Sequence, residues 1–267
     1  PSIVIGQDSA SIHELMELND GVLEKVYPSK AGTCEAVAPI SWDKPSVAVC
    51  RHKSAHPKAV IPVFPGTNCE YDSAKVIENA GMDSEIIVIN NLSPKSISES
   101  VTYFANRLKD AQMVFIPGGF SGGDEPDGSG KFITAFFRNA EIKEEVNRLL
   151  KQRDGLMLGI CNGFQALIKL GLVPNGEITD TDEFSPTLTY NTIGRHQSRL
   201  VRTRISSNKS PFLADTKVGD IYTVPVSHGE GRFLASESLI RKLAENGQIA
   251  TQYVDENGNV TGDVAYN

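Results

Sequence analysis

The sequence predicts a doubly wound α/β fold: a mostly parallel sheet with helices on both faces, followed by a strand-rich C-terminal part. Three observations predict it. Apolar runs of strand length recur at 59–64, 85–89, 113–116 and 156–160. Segments with apolar residues at helical spacing separate them. The last run passes directly into a helix through Gly159-Ile160-Cys161-Asn162-Gly163. Right-handed crossovers gather the strand C-termini of such sheets along one edge, where ligands usually sit.

Residues 1–57 read differently from the rest. The spacing of Leu15, Met16, Leu18 and Leu23 predicts a short helix over 12–26. Prolines at 28, 39, 45 and 57, with Gly32 and the polar run Arg51-His52-Lys53-Ser54, then predict an extended arm or interdomain linker. The pattern changes at Lys58. The run 59–64 is a strand ending at Pro65-Gly66, and Pro62 marks its start or an irregular ladder position. Residues 73–80 read as a helix closed by Gly81, and 85–89 as the next strand. Ser93 caps a longer helix with Pro94 in its first turn and Ile97, Val101, Phe104 and Leu108 on one face.

The strand at 113–116 runs into Pro117-Gly118-Gly119. Helices are expected over 132–138 and 142–151, then the strand 156–160 and a helix from 164. That last strand is expected at the centre of the sheet, with Cys161 at its C-terminal end. From Thr187 the reading is strand-rich, with one helix over 236–245. Asn257-Gly258 is a two-residue hairpin turn between 251–254 and 260–261.

Composition narrows the function. Of 267 residues, 40% are hydrophobic and 22% charged, enough for a sizeable core and too ordered in pattern for a disordered chain. Asp and Glu number 33 against 26 Lys and Arg, a net charge of −7. No nucleic-acid partner is expected, because such partners call for a basic patch. No membrane partner is expected either, since no apolar run approaches the ~20 residues of a spanning helix. The chain opens Pro1-Ser2-Ile3 with neither an initiator Met nor a signal-peptide pattern, so a piece of a longer, cytoplasmic protein is expected. Cysteines stand at 34, 50, 69 and 161 with no C-x-x-C pair. That pattern points to free thiols in a reducing compartment, with no metal site.

The chemistry is concentrated at 159–163. A cysteine between two glycines at a strand-to-helix junction is the G-x-nucleophile-x-G elbow, with Cys in place of Ser. The sharp turn strains the central residue, and its neighbours need small side chains to clear it. The nucleophile also stands at a helix N-terminus, where the dipole favours negative charge. A second feature is Pro117-Gly118-Gly119-Phe120-Ser121-Gly122-Gly123-Asp124, whose bare backbone N–H groups can donate to an oxyanion. It has no Gly-Lys-Ser/Thr and is no phosphate loop.

With these residues in view, Gly-Ile-Cys-Asn-Gly-Phe-Gln at 159–165 resembles the nucleophile elbow of class I glutamine amidotransferases. Four more segments resemble, more narrowly, the glutaminase part of phosphoribosylformylglycinamidine synthases, ligases of purine biosynthesis. They are Phe64-Pro65-Gly66-Thr67-Asn68-Cys69-Glu70, residues 117–124, Asn191 with Arg195, and Ser227-His228-Gly229-Glu230-Gly231-Arg232-Phe233. The resemblance covers about residues 58–267 and implies a class I amidotransferase-like, flavodoxin-like fold. It implies that 1–57 are the tail of a preceding synthetase domain plus linker, in a large fused enzyme. Cys161 would be the nucleophile, and backbone N–H groups of Gly118, Gly119 and Asn162 would hold the oxyanion. Gln165, His228 and Glu230 would line the glutamine pocket, and Cys69 would be a structural loop cysteine. The implied partners are L-glutamine and the synthetase domain of the same polypeptide. No cofactor is implied in these residues; ATP and Mg belong to the synthetase part.

One departure matters. The family's triad takes its His and Glu from a His-Pro-Glu motif near the C-terminus. Here the only His-Pro is His56-Pro57, followed by Lys58. His228 and Glu230 copy the spacing, but the resemblance assigns them to the pocket. The expectation is that the chain stops short of its general base. Arg195, Arg199, Arg202 and Arg204 read as a solvated strand face or as an interface to an acidic surface of the synthetase. Other readings are an amidotransferase serving GMP or CTP synthesis, a Cys-elbow hydrolase or chaperone without a glutamine pocket, and an inactive interface module.

Overall fold

The elements follow in the order β1 (Ser2–Ile5), β2 (Asp8–Ser11), α1 (Ile12–Gly21), β3 (Lys58–Val63), α2 (Glu70–Asn79), β4 (Asp83–Val88), α3 (Pro94–Leu108) and β5 (Met113–Ile116). Then come α4 (Lys131–Phe137), α5 (Ala140–Lys151), β6 (Leu156–Gly159), α6 (Asn162–Lys169) and the single turn α7 (Leu172–Asn175). The remainder is β7 (Thr187–Thr189), β8 (Gln197–Ile205), β9 (Ile221–His228), β10 (Arg232–Leu234), α8 (Glu237–Glu245) and β11 (Thr251–Val254). The structure, a computed structural model, describes residues 1–26, 37–42, 44, 50, 53–122 and 129–262.

Four strands form the parallel sheet, in the order β4-β3-β5-β6. Counted from β3, this is 2-1-3-4, the order of a flavodoxin-like sheet. Side chains alternate along each strand, so the sheet builds two cores. Val60, Ile87, Val114 and Ile116 point to one face, where they meet Phe104 and Leu108 of α3, Phe136 and Phe137 of α4, Leu149 of α5 and Ala166 of α6. Ala59, Ile61, Met113 and Phe115 point to the other, against Ala74 and Ile77 of α2. Phe64, Phe104, Phe132, Phe136 and Phe137 pack edge to face with ring centroids 5.3 to 5.9 Å apart.

Pro62 takes the irregular ladder position expected of it. The β3–β5 pairing stops at Val60↔Val114, two residues before the proline, while β4 pairs along the whole of β3. Ser93 caps α3 by accepting from the Ser96 N–H at 3.1 Å, with Pro94 in the first turn.

One expectation is corrected. β6 is an edge strand among the described residues, not a central one: it pairs with β5 alone, from Met113↔Leu156 to Ile116↔Gly159. The strand-rich C-terminal part is present as expected. Its strands pair antiparallel among themselves, β11-β8-β9 in one sheet and β10-β7 in another. The short helix expected over 12–26 is present as α1, with a hairpin ahead of it. The hairpin pairs β1 with β2 across Gly6-Gln7, and Ser11 with Glu14 closes a capping box on α1, which ends at Gly21. The hairpin expected at 257–258 is present and short: Asp255 N–H donates to the Asn259 carbonyl at 2.8 Å and Thr261 N–H to the Tyr253 carbonyl at 3.0 Å, around the bridge Val254↔Val260.

Among the described residues no helix is long and apolar enough to cross a membrane.

Candidate active site

Cys161 sits where β6 turns into α6, with φ 51° and ψ −109°. That backbone is rare for a residue with a Cβ and is held by its surroundings. The flanking glycines explain how the turn closes. A Cβ on Gly159 would lie 2.6 Å from the Gly163 backbone, and one on Gly163 would lie 2.1 Å from the Ile116 carbonyl oxygen. Ile160 N–H donates to the Ile116 carbonyl at 3.1 Å, and Gln165 N–H to the Cys161 carbonyl at 2.9 Å. Cys161 is half-buried, whereas Cys50 and Cys69 are exposed; Cys34 lies outside the described residues.

The glycine loop stands directly against the cysteine. A Cβ on Gly118 would lie 3.2 Å from Cys161 Cβ and 3.9 Å from Sγ. The loop is locked onto the 65–68 turn. Asn68 N–H donates to the Gly118 carbonyl at 2.9 Å, Phe120 N–H to Gly66 at 2.9 Å and Gly122 N–H to Pro65 at 2.7 Å. Thr67 and Gly119 face each other in an antiparallel bridge whose hydrogen bonds are made by their neighbours. Such a pair turns its own N–H groups away from each other. The Gly119 N–H is thereby directed off the Thr67 side. Gly119 has φ 136°, and a Cβ there would lie 2.5 Å from the Gly66 oxygen, so glycine is required. Gly123 and Asp124 lie outside the described residues.

The opposite wall comes from β9 and the turn after it. The Cys161 thiol donates to the Ser227 carbonyl at 3.8 Å. Asn191, 3% exposed, holds the next four residues. Its Nδ2 donates to the carbonyls of His228 (2.7 Å) and Arg195 (3.0 Å), which leaves Oδ1 as the acceptor. Oδ1 lies 2.9 Å from His228 Nδ1 and 3.3 Å from the Gly231 N. His228 Nδ1 therefore carries the proton. A Cβ on Gly231 would lie within 2.5 Å of the His228 ring atoms, so this glycine makes room for the imidazole. Burial, and then the nearby His196, push the His228 pKa down from its usual value. His196 Nε2 lies 2.9 Å from Ser227 Oγ.

A row of side-chain amides joins loop, elbow and wall. Asn162 Oδ1 accepts from the Ser121 N–H at 3.3 Å. Asn162 Nδ2 donates to Gln165 Oε1 at 3.1 Å. Gln165 Nε2 donates to the Glu230 carbonyl at 2.9 Å. The Glu230 carboxylate accepts from Ser129 Oγ at 2.7 Å, just ahead of α4. Asn162 is 1% exposed and Gln165 7%. The structure thus brings together Cys161, Gly118, Gly119, Asn162, Gln165, His228 and Glu230. The polar ends of the last four are engaged with protein partners.

Sequence reasoning missed the bridging by the Asn162 side chain and the hub at Asn191. A signal for the latter was present: Asn191 with Gly194 three residues on marks a turn. The elbow marked Asn162 for its backbone N–H, but nothing in the sequence pointed to its side-chain bonds, whose partners are 41 residues away in one direction and three in the other. The arginine cluster fits neither expected reading in full. Arg202 donates to the carbonyls of Asp255 and Glu256, and Arg204 to the Ile40 carbonyl and Ser41 Oγ. Those two tie the chain to itself.

Known proteins resemble this chain. The sequence matches the CobB/CobQ-like glutamine amidotransferase domain over residues 56–267. It is 35% identical over 207 residues to the phosphoribosylformylglycinamidine synthase subunit PurQ of Methanococcus maripaludis, covering 76% of this chain and 69% of that protein. It is 36% identical over 206 residues to the same subunit of Treponema denticola, covering 74% and 71%. The fold is similar to a chain in the solved structure of PurLQS from Thermotoga maritima, with a TM-score of 0.54 at 23% identity, over 77% of this chain and 80% of that one. The chain belongs to the CobB/CobQ-like glutamine amidotransferase domain family, and PurQ subunits of phosphoribosylformylglycinamidine synthases are among its relatives.

Proposed function

We propose that this protein releases ammonia from L-glutamine through a Cys161 thioester, and that the ammonia serves phosphoribosylformylglycinamidine synthesis. The observation that carries the reading is the strained Cys161 backbone between two obligatory glycines, with Gly118 against its side chain. Cys161 Sγ attacks the carboxamide carbon. The carbonyl oxygen becomes an oxyanion, to which N–H groups of Gly118 or Gly119 and of Asn162 donate. The C–N bond then breaks, and the leaving nitrogen takes up the proton given up by the Cys161 thiol, so that ammonia departs and the thioester remains. Water hydrolyses the thioester, giving glutamate and the free thiol. Gln165, His228 and Glu230 shape the pocket wall. A synthetase partner, holding ATP and Mg, activates the formyl amide oxygen of the ribonucleotide and takes the ammonia. Relatives named as PurQ subunits support that assignment.

A triad needs a base in reach of the nucleophile and a group to orient it. After Cys161 the only histidines are His196 and His228. Reading neither as the base rests on the resemblance, which assigns His228 to the pocket; the Asn191 bond holds His228 Nδ1–H and leaves Nε2 unprotonated, and His196 lies by Ser227 Oγ. Labelling and turnover should therefore separate. A diazo-ketone glutamine analogue should alkylate Cys161 first, read by mass spectrometry. A protein of these 267 residues should release glutamate only at the level left when a triad base is absent, ~10³ to 10⁴ over water. Preferential labelling of Cys34, Cys50 or Cys69 overturns the nucleophile. Full turnover abolished by His228→Ala makes His228 the base after all.

A further inference from the structure

Residues 38–42 lie ahead of the family-matched segment, which begins at 56, yet they are bonded to it at several points. Trp42 N–H donates to the Ser206 carbonyl at 2.8 Å. Gln252 brackets the segment, accepting from Ile40 N–H at 2.6 Å and donating to the Ala38 carbonyl at 3.1 Å. Arg204 forks across it, to the Ile40 carbonyl and to Ser41 Oγ, both at 2.9 Å. The Trp42 ring lies flat on Gly247: a Cβ there would come within 2.4 to 2.9 Å of three ring carbons. Lys44 and Lys209 stand over the ring with Nζ 4.8 and 4.9 Å from its centroid, cation–π distances.

We infer that residues 38–42 are a docked strap with Trp42 as anchor, and that the β8 and β11 ends with Gly247 form its receptor. The receptor takes an extended segment with one aromatic residue. Main-chain groups are read by Gln252, Arg204 and Ser206, and the ring is read by a bare glycine and the Lys209 ammonium, with Lys44 over it from the segment's own side. The receptor and the site wall are two ends of one sheet. β8 pairs Arg204 with Ile221 at the strap end and Gln197 with His228 at the other, next to Ser227. The strap thus fixes the chain ahead of the domain to the sheet that carries the Ser227 carbonyl to Cys161. This inference is independent of the activity proposed above.

Trp42 is the only tryptophan in the chain, so its fluorescence reports the strap directly. In the protein of these 267 residues, Trp42 should emit to the blue of the urea-unfolded chain and be less quenched by acrylamide. Arg204→Ala combined with Gln252→Ala should shift emission to the red and raise quenching toward the unfolded value, with far-UV circular dichroism unchanged. Native emission and quenching equal to those of the unfolded chain overturn the strap, and this arm needs no variant. An unchanged Trp42 signal in a folded double variant overturns the receptor.

Discussion

The parallel sheet and the antiparallel strands after it hold together in different ways. β5 is buried at all four positions and β3 at its four central ones. β9 has no buried residue, and β8 has three buried of nine. The first region is held by apolar burial between strands and helices. The second is held by polar side chains gripping distant main chain: Asn191 on 228–231, Arg202 on 255–256, Gln252 on 38–40, Gln165 on 230. The candidate site joins the two. Cys161 stands on the stiff region, and the wall facing it belongs to the pinned one. Loops and walls of this second kind open locally at lower cost than a packed core.

Two substitutions break the comparison from either side. Phe104 of α3 is fully buried, its ring packed edge to face on Phe136 and Phe137 of α4. Phe104→Ala should cost about 3–5 kcal/mol and lower the urea midpoint of the whole protein. Asn191→Ala should act more locally. It removes donors to two carbonyls and the acceptor of two N–H groups, and each buried group left unpaired costs about 1–3 kcal/mol. Hydrogen exchange at 229–231 should accelerate while exchange in β3 and β5 stays slow. Equal acceleration in both regions would mean that they unfold as one unit.

The same difference decides how much could be read in advance. Buried strands and amphipathic helices leave a periodic trace, so β3 to β6 and the helices between them were legible within a few residues. The elbow was legible because its glycines have a steric reason visible in the sequence alone. The edge position of β6 was not, because neighbour order depends on which later strands join the sheet. Here they pair with one another. Polar pins leave no periodic trace either. Asn162, Arg204 and Gln252 act on residues up to 214 positions away. The strap at 38–42 fell in a stretch that proline content marked only as extended.

The smallest expected effect separates the regions by pH. Burial first, and then His196, lower the His228 pKa in the folded state. The unfolded chain therefore binds this proton more readily, starting near ~6.5. With the folded pKa below the unfolded one, stability is full above that pH and is lost as pH falls through the window beneath it. In the parallel sheet the relevant group is Glu85 on β4. Burial works to raise its pKa, but the Arg107 guanidinium, bonded through Nε at 2.8 and 2.9 Å, outweighs it and the net shift is downward. That contribution is also full above the unfolded value, here ~4.3, and lost on further acidification. Acidification from neutrality should therefore loosen the wall before the sheet. Exchange protection at Gly231, whose N–H donates to Asn191 Oδ1, corrected for the intrinsic rate, should fall between neutrality and pH ~5, with β3 and β4 unaffected until the carboxylate range. His228→Asn, which cannot charge, should remove the first step and leave the second. If the first step survives in His228→Asn, another group holds the wall, and the pinned region is less dependent on Asn191 and His228 than its hydrogen bonds indicate.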